Sequence, residues 1–358
     1  MNENIKGNRK YIWNLIIMFI LMLGTFYLLL KGNDIRLFIK TIKSINPIYV
    51  TLGFIMMFVF VLCESINIRI LLNSLGNKIS FWRGLKYSFV GFYFSSITPS
   101  ASGGQPMQVY YMKKDKINIS VSSLILLIVV AIYQIVMVIY VGILYFCKFS
   151  FLSDKIGNMK PFIIYGFTIN SILVCIMLII IFSNKLAEII VNLFLKIGIK
   201  LRIVKNKKKY EEKINSHIKE YRDGAKHIKN NPIILIKICA ITIIQLTALF
   251  IIPYFIYKAF GLNEYGVIDV MTIQGVLTIA VSSLPLPGAV GASESGFVTM
   301  FKILFSSKLV LPAMLVSRMV SFYLFLAISG VIVIGLQFKM NRCRDIKRYK
   351  KIKENLPI

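Results

Sequence analysis

Apolar residues in this chain arrive in runs of roughly 20, separated by short stretches that hold most of its charge. A run of that length crosses the bilayer core of about 30 Å as an α-helix, whereas soluble helices show an apolar stripe. The pattern predicts full spans over 11–30, 48–72, 118–147, 162–182, 233–257 and 309–338. The first run is longer than a signal-peptide core and no small-residue cleavage site follows it, so it is read as a retained span. Between the first two spans, Ile35, Phe38, Ile39 and Ile42 share one face while Arg36, Lys40 and Lys43 lie elsewhere, the pattern of a helix lying in the interface.

Two further apolar segments are interrupted. The segment 81–97 breaks at Thr98-Pro99-Ser100-Ala101-Ser102-Gly103-Gly104-Gln105-Pro106, and 268–284 breaks at Ser283-Leu284-Pro285-Leu286-Pro287-Gly288-Ala289-Val290-Gly291-Ala292-Ser293-Glu294. The apolar piece after the first break, 107–112, covers roughly 9 Å as a helix and cannot complete a crossing. Each segment is therefore predicted to be a re-entrant hairpin. Parity agrees, because with both hairpins re-entrant the basic head, the 113–116 cluster, the long polar stretch 184–232 and the basic tail all fall on the cytoplasmic side. The first hairpin then enters from the cytoplasm and the second from outside.

The two halves share an order of Asn-Pro, span, broken hairpin and span. Asn46-Pro47 and Asn231-Pro232 are 185 residues apart, as are Gly103 and Gly288. Hairpins entering from opposite faces make this an inverted-topology repeat, an arrangement of secondary transporters. The expected organisation is one all-α polytopic membrane domain over 1–358. It comprises the first span and interfacial helix (10–45), repeat one (46–147, break 98–106), an extra span with a basic cytoplasmic loop (161–230), repeat two (231–338, break 283–294) and a basic tail (339–358).

Composition narrows the function classes. The chain has 358 residues, 57% apolar and 16% charged, against about 25% charged in soluble domains. Its net charge of +28 would suggest nucleic acid if it lay on one folded face. Instead the cations sit between and after apolar runs, thirteen of them within 184–232, so the charge is read as membrane topology and no nucleic-acid partner is expected. That stretch begins with Leu186, Ile189, Ile190, Leu193, Phe194 and Ile197 at helical spacing, which suits anionic lipid. The five cysteines form no close pair and the two histidines, His217 and His227, lie in a polar loop, so no disulfide framework, metal site or cofactor is expected. Phosphate-binding loops, zinc-protease motifs and complete serine-nucleophile elbows are absent, and no catalytic residue is nominated.

Ionisable residues in apolar spans cost about 2.5–3.5 kcal/mol each at mid-membrane and mark functional positions. Arg318, in the last span, is the strongest candidate; Glu64 and Arg69 lie in the second span, with Arg69 near enough to its end to snorkel. Glu294, at the second break, either pairs with Arg318 or complements the N-terminus of its own half-helix. Tyr323, five residues beyond Arg318, is expected on a different helical face. A non-helical backbone at membrane depth lines a cavity, and half-helices starting near Pro106 and Ser293 would aim N–H groups at a phosphate or carboxylate there. The candidate substrate-binding set is Arg318, Glu294, Ser293, Gly288, Gly291, Pro287, Gly103, Gly104, Gln105, Ser102, Arg69 and Glu64.

The run from Pro99 to Pro106, the later Pro285-Leu286-Pro287-Gly288 with Gly291 and Glu294, and Ser317-Arg318 followed by Phe322-Tyr323 resemble the lysylphosphatidylglycerol synthase transmembrane, flippase-like family. The resemblance covers about 10–338. It implies movement of lysyl-phosphatidylglycerol or a related anionic or aminoacylated phospholipid between leaflets, and with it resistance to cationic antimicrobial peptides. Family members often carry a charged residue after the Gly-Gly motif and an acidic–basic pair in the next span, where this chain has Gln105, Gln108 and Tyr133-Gln134. The soluble domain that takes lysine from aminoacyl-tRNA in full-length members is not expected here, so lysyltransferase activity is the alternative rather than the leading reading. A scaffold for a separate synthase and a polyprenyl-phosphate or small-anion transporter are the others. The expected setting is a bacterial-type plasma membrane with both termini cytoplasmic. Phospholipid is the expected partner, with a separate synthase and a second copy of the chain as candidates.

Overall fold

The structure, a computed structural model, describes residues 41, 43–153, 160–182 and 207–338. The expected first span, most of the interfacial helix, the amphipathic start of the basic loop and the basic tail lie outside the described residues. Among the described residues the α-helices include, in order, α1 (Pro47–Ser74), α2 (Phe81–Ser96), α3 (Gly104–Lys114), α4 (Ile119–Cys147), α5 (Phe149–Ser153), α6 (Lys160–Phe182), α7 (Lys207–Lys229), α8 (Pro232–Phe250), α9 (Ile252–Ala259), α10 (Val267–Ser282), α11 (Ala292–Phe301) and α12 (Val310–Arg318), and the last span is again helical over 324–338. No strand occurs among the described residues. Five helical segments are long and apolar enough to cross a membrane: Pro47–Ser74, Ile119–Cys147, Lys160–Ile181, Pro232–Ala259 and Val310–Phe338. The chain is an all-α polytopic membrane protein.

Both Asn-Pro pairs start spans, with proline in the first helical turn where its missing N–H costs nothing. Asn46 caps α1, its Oδ1 accepting the Ile48 N–H at 3.0 Å. The Asn231 amide instead donates to the His227 carbonyl, tying α8 to α7. Spans α1 and α8–α9 lie side by side in opposite directions. Asn46 N–H donates to the Ala259 carbonyl at 3.0 Å, Gly53 faces Ile252 and Ile256, and Asn67 Nδ2 donates to Thr242 Oγ1 at 3.1 Å in the buried interior. Partner numbers fall along α8–α9 as they rise along α1, the pairing of antiparallel helices.

The hairpins follow the same opposition. Helices α2 and α3 run back to back, and their open end is closed by a Lys86–Asp115 ion pair and by Tyr87 Oη donating to Asp115 at 2.5 Å. This is the end that carries Lys113, Lys114 and Lys116, and α7 packs beside it: Asn118 donates to Glu220 at 3.1 Å, and Gly224 sits against Leu124 and Leu75. Helix α10, which leads into the second break, begins at the other end of the molecule, where Asp269 pairs with Lys148 past the end of α4 at 2.9 Å. The extra span α6 packs on α4 and α10. Gly166 lets it approach the Ile279 carbonyl, and buried Asn170 donates to that carbonyl and to Ser282, hydrogen bonds that hold helices together where water is absent.

Candidate functional site

The two breaks meet. Each is a short 3₁₀ turn opened by proline, Pro99–Ala101 and Pro287–Ala289, and the two turns pack against each other. Their backbones match: Ser100 and Ala101 have φ of 50° and 54°, Gly288 and Ala289 of 58° and 51°. Two successive left-handed residues, mostly not glycine, cost of order 1–3 kcal/mol each, and such strain persists only where its surroundings hold it. Pro99 and Pro287 are 188 residues apart, as are the helix-capping Gly103 and Gly291. The structural repeat at the breaks is therefore three residues out of step with the 185-residue spacing of Gly103 and Gly288. The half-helices start at Gly104 and Ala292, close to the positions expected from Pro106 and Ser293.

At the second break, a buried polar cluster forms around Glu294, which is 1% exposed. Its Oε1 accepts from Arg318 Nε at 2.7 Å and from Tyr323 Oη at 2.9 Å, and its Oε2 accepts from the Gly291 N–H at 2.6 Å. Both alternatives for Glu294 hold at once: it pairs with Arg318 and caps its own half-helix, one oxygen serving each role. Arg318 also donates from Nη2 to the Gly288 carbonyl at 3.2 Å, so its side chain joins α12 to the broken turn. Its guanidinium lies 4.4 Å from the Phe322 ring centre and 5.6 Å from that of Tyr323, within cation–π range. Gly288 is required here, since a Cβ would stand 2.3 Å from Phe322.

Tyr323 corrects an expectation. In a regular α-helix residues five apart point in different directions, but Met319–Tyr323 form a π turn in which the Leu324 N–H reaches back to the Met319 carbonyl. One extra residue in the turn brings positions 318 and 323 onto one face, and π turns concentrate at functional sites. Nothing in the apolar pattern signals the insertion. Phe322, four residues beyond Arg318, packs under the guanidinium, a contact that the sequence pattern did not assign.

The remaining candidates distribute differently. Pro287 is buried in the second turn and Ser293 is half-buried in the first turn of α11. At the first break, the Gly103 N–H donates to Thr98 Oγ1 at 2.8 Å. A Cβ on Gly104 would meet Ser95 Oγ at 2.0 Å and the Gly91 carbonyl at 3.0 Å. These two glycines thus allow α2 and α3 to approach. Ser102 is exposed and Gln105 half-buried at the same tip. Arg69 is exposed near the C-terminal end of α1, apart from the Glu294 cluster. Glu64 is half-buried in α1, where Gln108 Nε2 of α3 donates to its Oε1 at 2.9 Å and to the Tyr87 carbonyl at 3.1 Å. Among the described residues no cluster of three or more His, Cys, Asp or Glu is placed to hold a metal.

Two antiparallel repeats meeting at broken turns, with a buried arginine–carboxylate cluster, make this a polytopic membrane protein with a polar site inside its apolar spans. The family model for the lysylphosphatidylglycerol synthase TM region matches residues 12–329, and the chain belongs to that family. It is also similar to a UPF0104 membrane protein of Archaeoglobus fulgidus, 25% identical over 281 residues that cover 75% of this chain and 80% of the relative.

Proposed function

We propose that the chain is a lipid translocase that moves a phospholipid with an anionic or aminoacylated head group, lysyl-phosphatidylglycerol being the type, between leaflets of the plasma membrane. The supporting observation is the Glu294–Arg318–Tyr323 cluster at the junction of two broken segments from opposite repeats. Arginine has five N–H donors in a rigid fork that suits phosphate. Two are committed here, to Glu294 and Gly288. Glu294 holds the fork in place and keeps the resting site neutral, which lowers the cost of burying the cation. A lipid phosphate entering the break would engage the remaining guanidinium donors while its acyl chains stay in the bilayer. Rocking of one repeat against the other would then expose the head group to the other side. Export of an aminoacylated lipid would lower outer-surface negative charge and so repel cationic peptides.

The test is expression in a host supplied with a separate lysyl-phosphatidylglycerol synthase, with total and outer-leaflet aminoacyl lipid measured by an impermeant amine label. The expected result is a larger outer fraction at constant total. Arg318→Ala is expected to abolish that rise while the protein remains folded in the membrane; an unchanged rise in this variant would sink the assignment. A higher total would instead mark lysyltransferase activity or stimulation of the synthase. Under the same scheme, export of polyprenyl phosphate in place of the aminoacyl lipid would reassign the head group and leave the phosphate site standing.

A further inference from the structure

Glu294 and Glu64 both lie deep within the apolar and broken segments, and their surroundings differ sharply. Glu294 accepts three hydrogen bonds, one from a guanidinium. Glu64, eighteenth of the 28 residues of α1, accepts one, from the neutral amide of Gln108. Among the described residues, no Lys, Arg or His nitrogen lies within ion-pair distance of Glu64. An ionised carboxylate in such a place is expensive, and it is relieved by taking up a positive charge.

The groups packed around α1 supply none. On α4, Tyr133 stacks edge-on against Phe60, one turn from Glu64. On α2, Lys86 and the Tyr87 hydroxyl are engaged by Asp115, and Arg83 is exposed at the helix start. On α8, the Asn67–Thr242 register places uncharged Gln245 level with Glu64 and puts Lys237 level with Leu72, two turns toward the C-terminal end of α1. On α9, Lys258 lies at the opposite end, beside Asn263. In the π turn, Tyr323 is bonded to Glu294. On α3, Tyr111 is buried, and on α1 itself Cys63 is buried while Arg69 is exposed.

We infer that Glu64 is a proton-carrying site that couples movement of the first hairpin to proton binding. The coupling element is the Glu64–Gln108 bond, which joins the long span α1 to the re-entrant arm α3. Gly91 makes room for it: a Cβ there would stand 2.2 Å from Gln108 Nε2, so the amide can satisfy both Glu64 and the Tyr87 carbonyl. While Glu64 is ionised the bond is charge-assisted and the hairpin is held to α1; adding a proton weakens it by removing the charge. The proton binds reversibly at a carboxylate oxygen and leaves by the side to which the site opens. The proton site stands on these contacts alone; its use as a driving ion rests on the translocase reading.

The experiment is infrared difference spectroscopy of the full-length protein in lipid nanodiscs, comparing alkaline with acidic buffer. A protonated-carboxyl C=O band is expected to grow on acidification, to vanish in Glu64→Gln and to persist in Glu294→Gln. Gln108→Met, which removes the amide but keeps the carboxyl, should shift that band, so the assignment remains open to test even if Glu64→Gln folds poorly. A band untouched by both Glu64→Gln and Gln108→Met overturns the proposal. So does a carboxylate band that never protonates but responds to sodium or to a soluble amine, which would make Glu64 a cation site. In vesicles carrying NBD-labelled phosphatidylglycerol, one coupled proton predicts a rate change of up to about tenfold per pH unit, falling to about onefold in Glu64→Gln. If the band titrates as expected and no labelled lipid moves, the translocase reading fails while the proton site survives.

Discussion

Glycine at position 288 answers two demands at once. Its φ of 58° is one that side chains resist, and a Cβ would penetrate the Phe322 ring that backs Arg318. Gly76 shares only the first demand, with φ of 80° and nothing within 4 Å of its absent Cβ. Gly76→Ala should therefore cost about 1 kcal/mol from the backbone alone. Gly288→Ala should cost about 2–4 kcal/mol, because a clash adds to the strain. Thermal unfolding in detergent checks the order, and equal losses would mean that Phe322 simply moves aside. Arg318 and Glu294 were legible in the sequence because a charge within apolar surroundings stands out against its neighbours. Their mutual bond was not, since a pairing and a capping role are both open to one carboxylate, and in the fold each oxygen takes one.

Helix register is decided at the π turn. Because that turn holds one extra residue, deleting exposed Met319 should let the segment close into a regular α-helix while Tyr323 and the remainder of the span keep their faces. Deleting Ala327, in the regular stretch beyond it, rotates everything downstream by about 100°. The first variant should express and unfold near the parental temperature, whereas the second should lose folded protein in fluorescence-detected size-exclusion chromatography. Similar losses in both would show that the extra residue is not a tolerated insertion. The spans themselves needed no structure to be located: α1, α4 and the last span lie within a residue or two of the positions expected from hydropathy. The basic stretch is expected as a cytoplasmic loop with an amphipathic start, and α7 within it is not foreseen. Gly224 seats that helix against α4 by omitting a side chain, a contact that composition cannot report.

At the scale of the whole molecule, the antiparallel pairing of α1 with α8–α9 and the opposed hairpins predict that Lys116 and Asn263 face opposite compartments. The cationic end carrying Lys116 belongs in the cytoplasm if the distribution of positive charge governs insertion. In intact cells of a cysteine-free background, Asn263→Cys should react with an impermeant maleimide and Lys116→Cys should react only after lysis. Labelling of both from outside would break the inverted repeat, and the reverse pattern would keep the repeat but invert its orientation.

Hydropathy, proline and charge by themselves determined the all-α membrane class, the positions of the described spans, the two broken segments and the ionisable residues within them. These are properties of single residues or short windows, and a bilayer imposes them wherever the segment sits in the fold. Tertiary structure alone decided that the two breaks touch, that the repeat is offset by 188 residues at the turns, that Tyr323 shares the face of Arg318, and that Glu64 is left with one neutral donor. Each of these depends on how separate helices are rotated and shifted against one another. That is set by side-chain packing between segments far apart in the chain, about which a local pattern carries no information.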